Sequence, residues 1–174
     1  MTELILNMTR LGDLLQTQPL LSGLKVQGAR TGLVHLSGLD RAVELLGDLD
    51  KAYPLPGDDL AGQAISDWKK VVGELRKWSG ALVQEHPSTG MTNLTPSLAM
   101  RMLARYLALE TVRLNGGMHP AERGFWVDNH GFGVNADNWS LFLQASSQSR
   151  GCSPFNLVDL FCRAGGLPEG RREN

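Results

Sequence analysis

The sequence predicts an α-dominated α+β domain: about five helices around one long amphipathic helix and one buried central helix, with a small β-sheet or hairpin. Three observations predict it. Between Asp58 and Gln84, residues Ile65, Trp68, Val72, Leu75 and Leu82 step by three and four, and Val71 and Trp78 widen the stripe. Between Thr95 and Leu114 the chain is apolar almost all round, with Leu98, Met102, Leu103, Tyr106, Leu107, Leu109 and Leu114 pointing in several directions, as in a helix at the centre of a fold. From His119 to Ser149 the composition shifts to Gly, Asn, Asp and aromatics, the chemistry of turns between short strands.

The elements follow in order. Leucines at 11, 14, 15, 20, 21 and 24 give the segment Asn7 to Leu24 a helical face, which Pro19 divides and Thr17 caps. Arg30 to Leu36, bounded by Gly28 and Gly38, reads as a strand. Ser37 and Asp40 resemble a capping pair for a helix carrying Val43, Leu45, Leu46 and Leu49 to about Ala52, ended by Pro54, Pro56 and Gly57. Asp58 or Asp59 opens the long helix, on the order of 40 Å at 1.5 Å per residue. A loop from His86 leads to Thr95 as N-cap and Pro96 at the first position of the central helix, which Asn115-Gly116-Gly117 closes. Gly124 to Val127 and Trp139 to Gln144 read as strands, and Ser153-Pro154 starts a last helix through Arg163, stopped by Gly165-Gly166. The expected organisation is a single globular domain over 1–166 with a flexible polar tail over 167–174.

At 174 residues, 42% hydrophobic and 20% charged, the chain can bury a sizeable core and lies outside the compositions of disorder. Its formal net charge is −1, and its halves split at Thr95 carry nine basic against eleven acidic residues and eight against seven. No global field therefore draws it to nucleic acid, and such a role would need a local patch. The start Met1-Thr-Glu-Leu-Ile-Leu lacks the basic and apolar regions of a signal peptide, and no run approaches 18 apolar residues. A cytoplasmic protein with no membrane association and with Cys152 and Cys162 reduced is expected. Twelve Arg against five Lys, with abundant Leu and Gly, accords with a GC-rich bacterial genome.

The candidate chemistry concentrates in the polar region. His119, Glu122, Arg123, Asp128, Asn129, His130 and Asp137 lie close together in sequence. Cys152 precedes a helix start whose amide dipoles favour a thiolate, and with His130 and Asp128 it would make a small Cys/His hydrolase. No oxyanion hole or family-type motif accompanies it. His119, His130, Cys152 and Cys162 are residue types zinc takes, but without C-x-x-C or H-x-x-x-H spacing no metal site is expected, and no cofactor either. His130-Gly-Phe-Gly133 lacks the third glycine of a nucleotide loop, and no Gly-Lys-Ser/Thr or G-x-S-x-G is present. Cys162, beside Phe161 in an apolar helix, reads as a buried inert thiol.

Lys69, Lys70, Arg76 and Lys77 fall on one outer face of the long helix and could track phosphates, although such a run also serves as a solvated face. Arg101 and Arg105, one turn apart on the central helix, either mark its exposed stripe or meet a partner. Trp68, Trp78, Trp126 and Trp139 are expected to weld the long helix to the polar region, with Trp126 and Trp139 as alternative interface anchors. With amphipathic faces plentiful and catalytic motifs missing, the leading expectation is a non-enzymatic binding or regulatory accessory protein, of the kind that serves phages, plasmids or integrative elements. It would act through a protein partner, and homodimerisation is in reach. The alternatives are a nucleic-acid-associated regulator and the Cys/His hydrolase.

Overall fold

The computed structural model describes residues 1–56, 67–127, 133–135 and 157–167. Its centre is a sheet of six strands in the order β3-β2-β1-β4-β5-β6: β1 (Thr2–Leu6), β2 (Arg30–Leu36), β3 (Lys51–Leu55), β4 (Gly90–Asn93), β5 (Ala121–Val127) and β6 (Gly133–Asn135). The first five run parallel and β6 pairs antiparallel with β5. This corrects the expected α-dominated fold with a small hairpin. The architecture is α/β, with helices on both faces of a mostly parallel sheet.

One face is covered by α1 (Leu11–Leu15), α2 (Gln18–Val26), α3 (Asp40–Val43) and α6 (Leu157–Ala164), whose Leu14, Leu20, Leu21, Leu24, Val43 and Phe161 pack on Ile5 and Leu33. The other is covered by α4 (Trp68–Glu85) and α5 (Leu98–Asn115), whose Leu82, Val83, Leu103 and Leu107 pack on Leu4, Leu6, Val34 and Met91. Leu4, Ile5 and Leu6 thus point alternately into two cores and are all fully buried.

Several expectations change accordingly. β2 falls where Arg30 to Leu36 was read as a strand, but the helix expected from Ser37 to Ala52 is a 3-10 turn at Ser37–Leu39 followed by the short α3, and its end is β3. β1 and β4 lie in segments read as a helix lead-in and a loop. The long helix is not the scaffold: Trp68 is 63% exposed and Val72 43%, and within α4 only Ser79, Leu82 and Val83 are buried. Nor is α5 buried all round, because Leu98, Met102 and Leu109 are exposed. Both are crossover helices, and each needs apolar residues only on the face that meets the sheet. α5 is capped by Ser97, whose Oγ accepts from Met100 N at 3.2 Å, and ends at Gly116 with φ +63°. Gly124 to Val127 is part of β5, whereas the expected strand over Trp139 to Gln144 and the start of the last helix at Ser153 lie outside the described residues.

One polar cluster lies inside the sheet. Glu3 is fully buried, its Oε1 accepting from Thr92 Oγ1 at 2.6 Å and its Oε2 lying 3.3 Å from Arg123 Nη2. Arg123 also donates from Nη1 to Gly165 O at 3.1 Å, so one guanidinium joins β1, β5 and the end of α6. Burial pushes the Glu3 carboxyl above its ordinary range, against the opposing pull of the Thr92 hydrogen bond and the Arg123 charge. Gly90 leaves the room: a Cβ there would collide with the Glu3 carboxylate.

Candidate functional site

Parallel sheets place ligands outside the carboxyl ends of their strands, at the point where the strand order reverses. Here the chain winds outward from β1 to β2 and β3, then crosses back to β4 on the other side of β1. The reversal lies between the ends of β1 and β4.

The loop leaving β1 at that point is held firmly. Asn7 is fully buried; its backbone N–H donates to Val34 O at 2.9 Å and its Nδ2 to Thr17 Oγ1 at 2.8 Å. Its Oδ1 accepts from both Thr9 N and Thr9 Oγ1. Met8 N donates to Thr95 Oγ1 at 2.8 Å, which ties the loop to the segment leaving β4. That segment is braced in turn by Asn93, whose Nδ2 reaches Thr95 O and Phe125 O, each at 3.0 Å. Met8 N, Thr9 N and Thr95 O are loop backbone groups satisfied by Thr and Asn side chains, and the loop is fixed in consequence.

On the β2 side of that loop, across β1 from the reversal, opens a cleft of about 520 Å³ lined by Met8, Thr9, Arg10 and Asp13 from the β1 side and by Leu36, Gly38 and Leu39 from the end of β2. The volume suits a small molecule. Asp13 is the one carboxylate and Arg10 the one cation among these lining residues. The apolar lining and the exposed Leu11 next to it give the cleft a mixed character, with aliphatic walls and two isolated charges.

The residues singled out from the sequence lie elsewhere. Asp128, His130, Trp139 and Cys152 are outside the described residues, and of Trp126 the structure shows the backbone pairing with Val134. Lys69, Lys70, Arg76 and Lys77 are exposed along α4, with Lys69 Nζ 5.8 Å from the centre of the Trp68 ring. Arg101 lines a gap of about 20 Å³, room for one water, with Met91, Asn93 and Glu122. Arg105 pairs with Glu122 and sits 3.1 Å from His119 Nε2, so it fastens α5 to the start of β5. Trp78 donates from Nε1 to Pro54 O at 3.0 Å, while Trp68 is mostly in solvent. Cys162 is buried as expected, and burial, with Asp159 adding, pushes its thiol up to about 11. Asp13, Arg10 and Asn7 went unnoticed, because a turn after an apolar run carries no motif until the run is known to be a central parallel strand.

In sequence, no protein-family model matches the chain and no curated protein does. In structure, several glycosyltransferases match. E. coli heptosyltransferase WaaC with ADP-2-deoxy-2-fluoro heptose superposes at a TM-score of 0.65 and 15% identity, covering 100% of this chain and 51% of that one. E. coli ADP-heptose lps heptosyltransferase II gives 0.53 at 12% identity, covering 98% and 41%. The glycosyl transferase family 9 protein from Veillonella parvula gives 0.52 at 13%, covering 94% and 39%. The chain shares their fold. That fold is the Rossmann-like α/β arrangement of GT-B glycosyltransferases, and the chain spans about half the length of the structures it matches or less.

The expectation of a non-enzymatic regulatory protein, with a DNA-binding regulator or a Cys/His hydrolase as alternatives, is corrected by this likeness, since the structures that share the fold are glycosyltransferases. Among the described residues no helix is long and apolar enough to cross a membrane, and no three His, Cys, Asp or Glu side chains gather as a metal site would require.

Proposed function

We propose that the chain is one half of a glycosyltransferase, the half that presents the acceptor hydroxyl to a nucleotide-activated sugar. The observation that carries this is the cleft at the carboxyl end of β1, where Asp13 is the only carboxylate among the lining residues. Two of the similar structures hold ADP or an ADP-sugar, which supports a nucleoside diphosphate sugar as donor.

The assignment to the acceptor side rests on the β1–α1 connection. A Rossmann pyrophosphate site needs glycines there, so that the backbone can approach the phosphates. This chain has Asn7-Met8-Thr9-Arg10-Leu11-Gly12 instead, with side chains filling the turn. The donor nucleotide then belongs to a second half, in this polypeptide or another, in keeping with the share of the glycosyltransferase structures that the chain spans. Where that half is a separate chain it is the protein partner, and we place the reaction in the cytoplasm.

In the reaction, Asp13 takes the proton of the acceptor hydroxyl as its oxygen attacks the anomeric carbon. The bond from that carbon to the diphosphate breaks, and the nucleoside diphosphate leaves with the electron pair. Asn7 and Thr9 keep the loop in place, so that Asp13 waits at a fixed position. Transfer from ADP-heptose to a panel of saccharides by the chain together with its donor-binding half, followed as ADP release and product mass, tests the assignment. Asp13→Asn should lower the rate by about 10²–10⁴-fold. An unchanged rate in that variant contradicts the role of the cleft.

A further inference from the structure

The hydrogen atoms around Thr9 have one consistent placement. Asn7 Oδ1 accepts from Thr9 N at 3.2 Å, and because a backbone N–H only donates, that end of the Asn7 amide is its oxygen. The other end agrees: Asn7 Nδ2 donates to Thr17 Oγ1 at 2.8 Å, and both residues are fully buried. Thr9 Oγ1 is hydrogen-bonded to the same Asn7 Oδ1, and an amide oxygen has no hydrogen to give. The single hydroxyl hydrogen of Thr9 is therefore spent on Asn7. Lone pairs are what remain on Oγ1, no described residue donates to them, and Thr9 lines the cleft.

We propose that Thr9 determines specificity: its oxygen accepts from a hydroxyl of the acceptor saccharide other than the one that reacts. The cleft then takes a sugar that keeps a free O–H at that position and refuses its deoxy, fluoro or O-alkylated form. The inference rests on the proposed glycosyl transfer at this cleft and names a feature its substrate must carry. Asn7 is the positioning residue. A threonine without that brace turns its O–H outward and serves an ether oxygen as well as a hydroxyl, whereas the braced one works in one direction only. The aliphatic side chains of Leu36 and Leu39 across the cleft offer such a sugar no substitute hydrogen bond. A site that offers a polar atom to a ligand hydroxyl rejects the analogue lacking it, since that atom is left unpaired.

The test titrates the full chain with methyl glucoside and its four analogues in which one hydroxyl is replaced by fluorine, read by amide NMR shifts. Fluorine keeps the size of the group and cannot donate. The analogues altered at the positions facing Asp13 and Thr9 should bind about 5-fold more weakly than the parent, the scale of one hydrogen bond. Thr9→Val keeps the shape and the backbone N–H, and should weaken the parent by the same factor while leaving one of those two analogues unchanged. The preference then disappears at one position and persists at the other, and Thr9→Ser keeps both. Equal binding of all five sugars, or a loss in Thr9→Val shared by all five, overturns the role of Thr9 and leaves the cleft reading intact. Absence of shifts at Met8–Asp13 and Leu36–Leu39 with every sugar overturns the cleft reading itself.

Discussion

Two pairs of opposite charges sit at two levels of the same sheet and behave differently. Glu3 and Arg123 lie among the strands, joined to each other and to Thr92 and Gly165, with the carboxylate fully buried. Arg10 and Asp13 lie beyond the end of β1, joined to nothing described and open to a cleft. The first pair is consumed by the fold, since a carboxylate withdrawn from water requires its partners. The second leaves its hydrogen-bonding capacity open at the cleft.

Substitutions can break this contrast. The largest effect expected is on catalysis alone: Asp13→Ala should remove transfer by the factor given for Asp13→Asn while costing only about 0.5 kcal/mol of stability, the scale of an acid in the first turn of a helix. Comparing melting curves with rates would expose any structural role. Glu3→Ala should do the reverse, lowering stability by about 3 kcal/mol because it strands Arg123, whose 31% exposure holds the loss at the low end of such cases. Chemical denaturation measures it, and Gly90→Ala should destabilise in the same direction by crowding the Glu3 carboxylate.

His86 sharpens the contrast through pH. Its Nε2–H donates to Glu3 O at 3.1 Å, its Nδ1 has no partner among the described residues, and burial holds the imidazole below its ordinary pKa. The folded state therefore favours neutral His86 while the unfolded chain takes up a proton near pH 6.5, so stability is full above that value and declines as pH falls below it. The slope should be at most about 1.4 kcal/mol per pH unit, the one-proton limit, and flatten in His86→Gln, whatever the offset in stability. The smallest effect is expected at Trp68→Ala, below about 0.5 kcal/mol, because the ring is mostly in solvent.

How much of this was legible in the sequence depended on the element. Arg30–Leu36 was read correctly because glycines bracket a β-branched and apolar run. Thr2–Leu6 was not, since a central parallel strand buried on both faces is a short apolar run without alternation, and Glu3 within it suggested a surface. Gly90–Asn93 carries almost no signal, because Gly90 and Thr92 are there to house the Glu3 carboxylate. Without β1 the cleft between the ends of β1 and β2 cannot be drawn, and Asp13 remains one acid among many. The aperiodic, polar region drew attention to His130 and Cys152, while the cleft formed from a turn that leucine periodicity had absorbed into a helix.

The central claim is that saccharide acceptors bind at the carboxyl end of β1. Amide NMR of the full chain titrated with a panel of saccharides tests it most directly. The account predicts shifts concentrated at Met8, Thr9, Arg10 and Asp13 and at Leu36–Leu39, with Lys69–Lys77 and the Arg105–Glu122 cluster unmoved. Shifts that spare the β1 loop and gather on α4 or around Glu122 would contradict it.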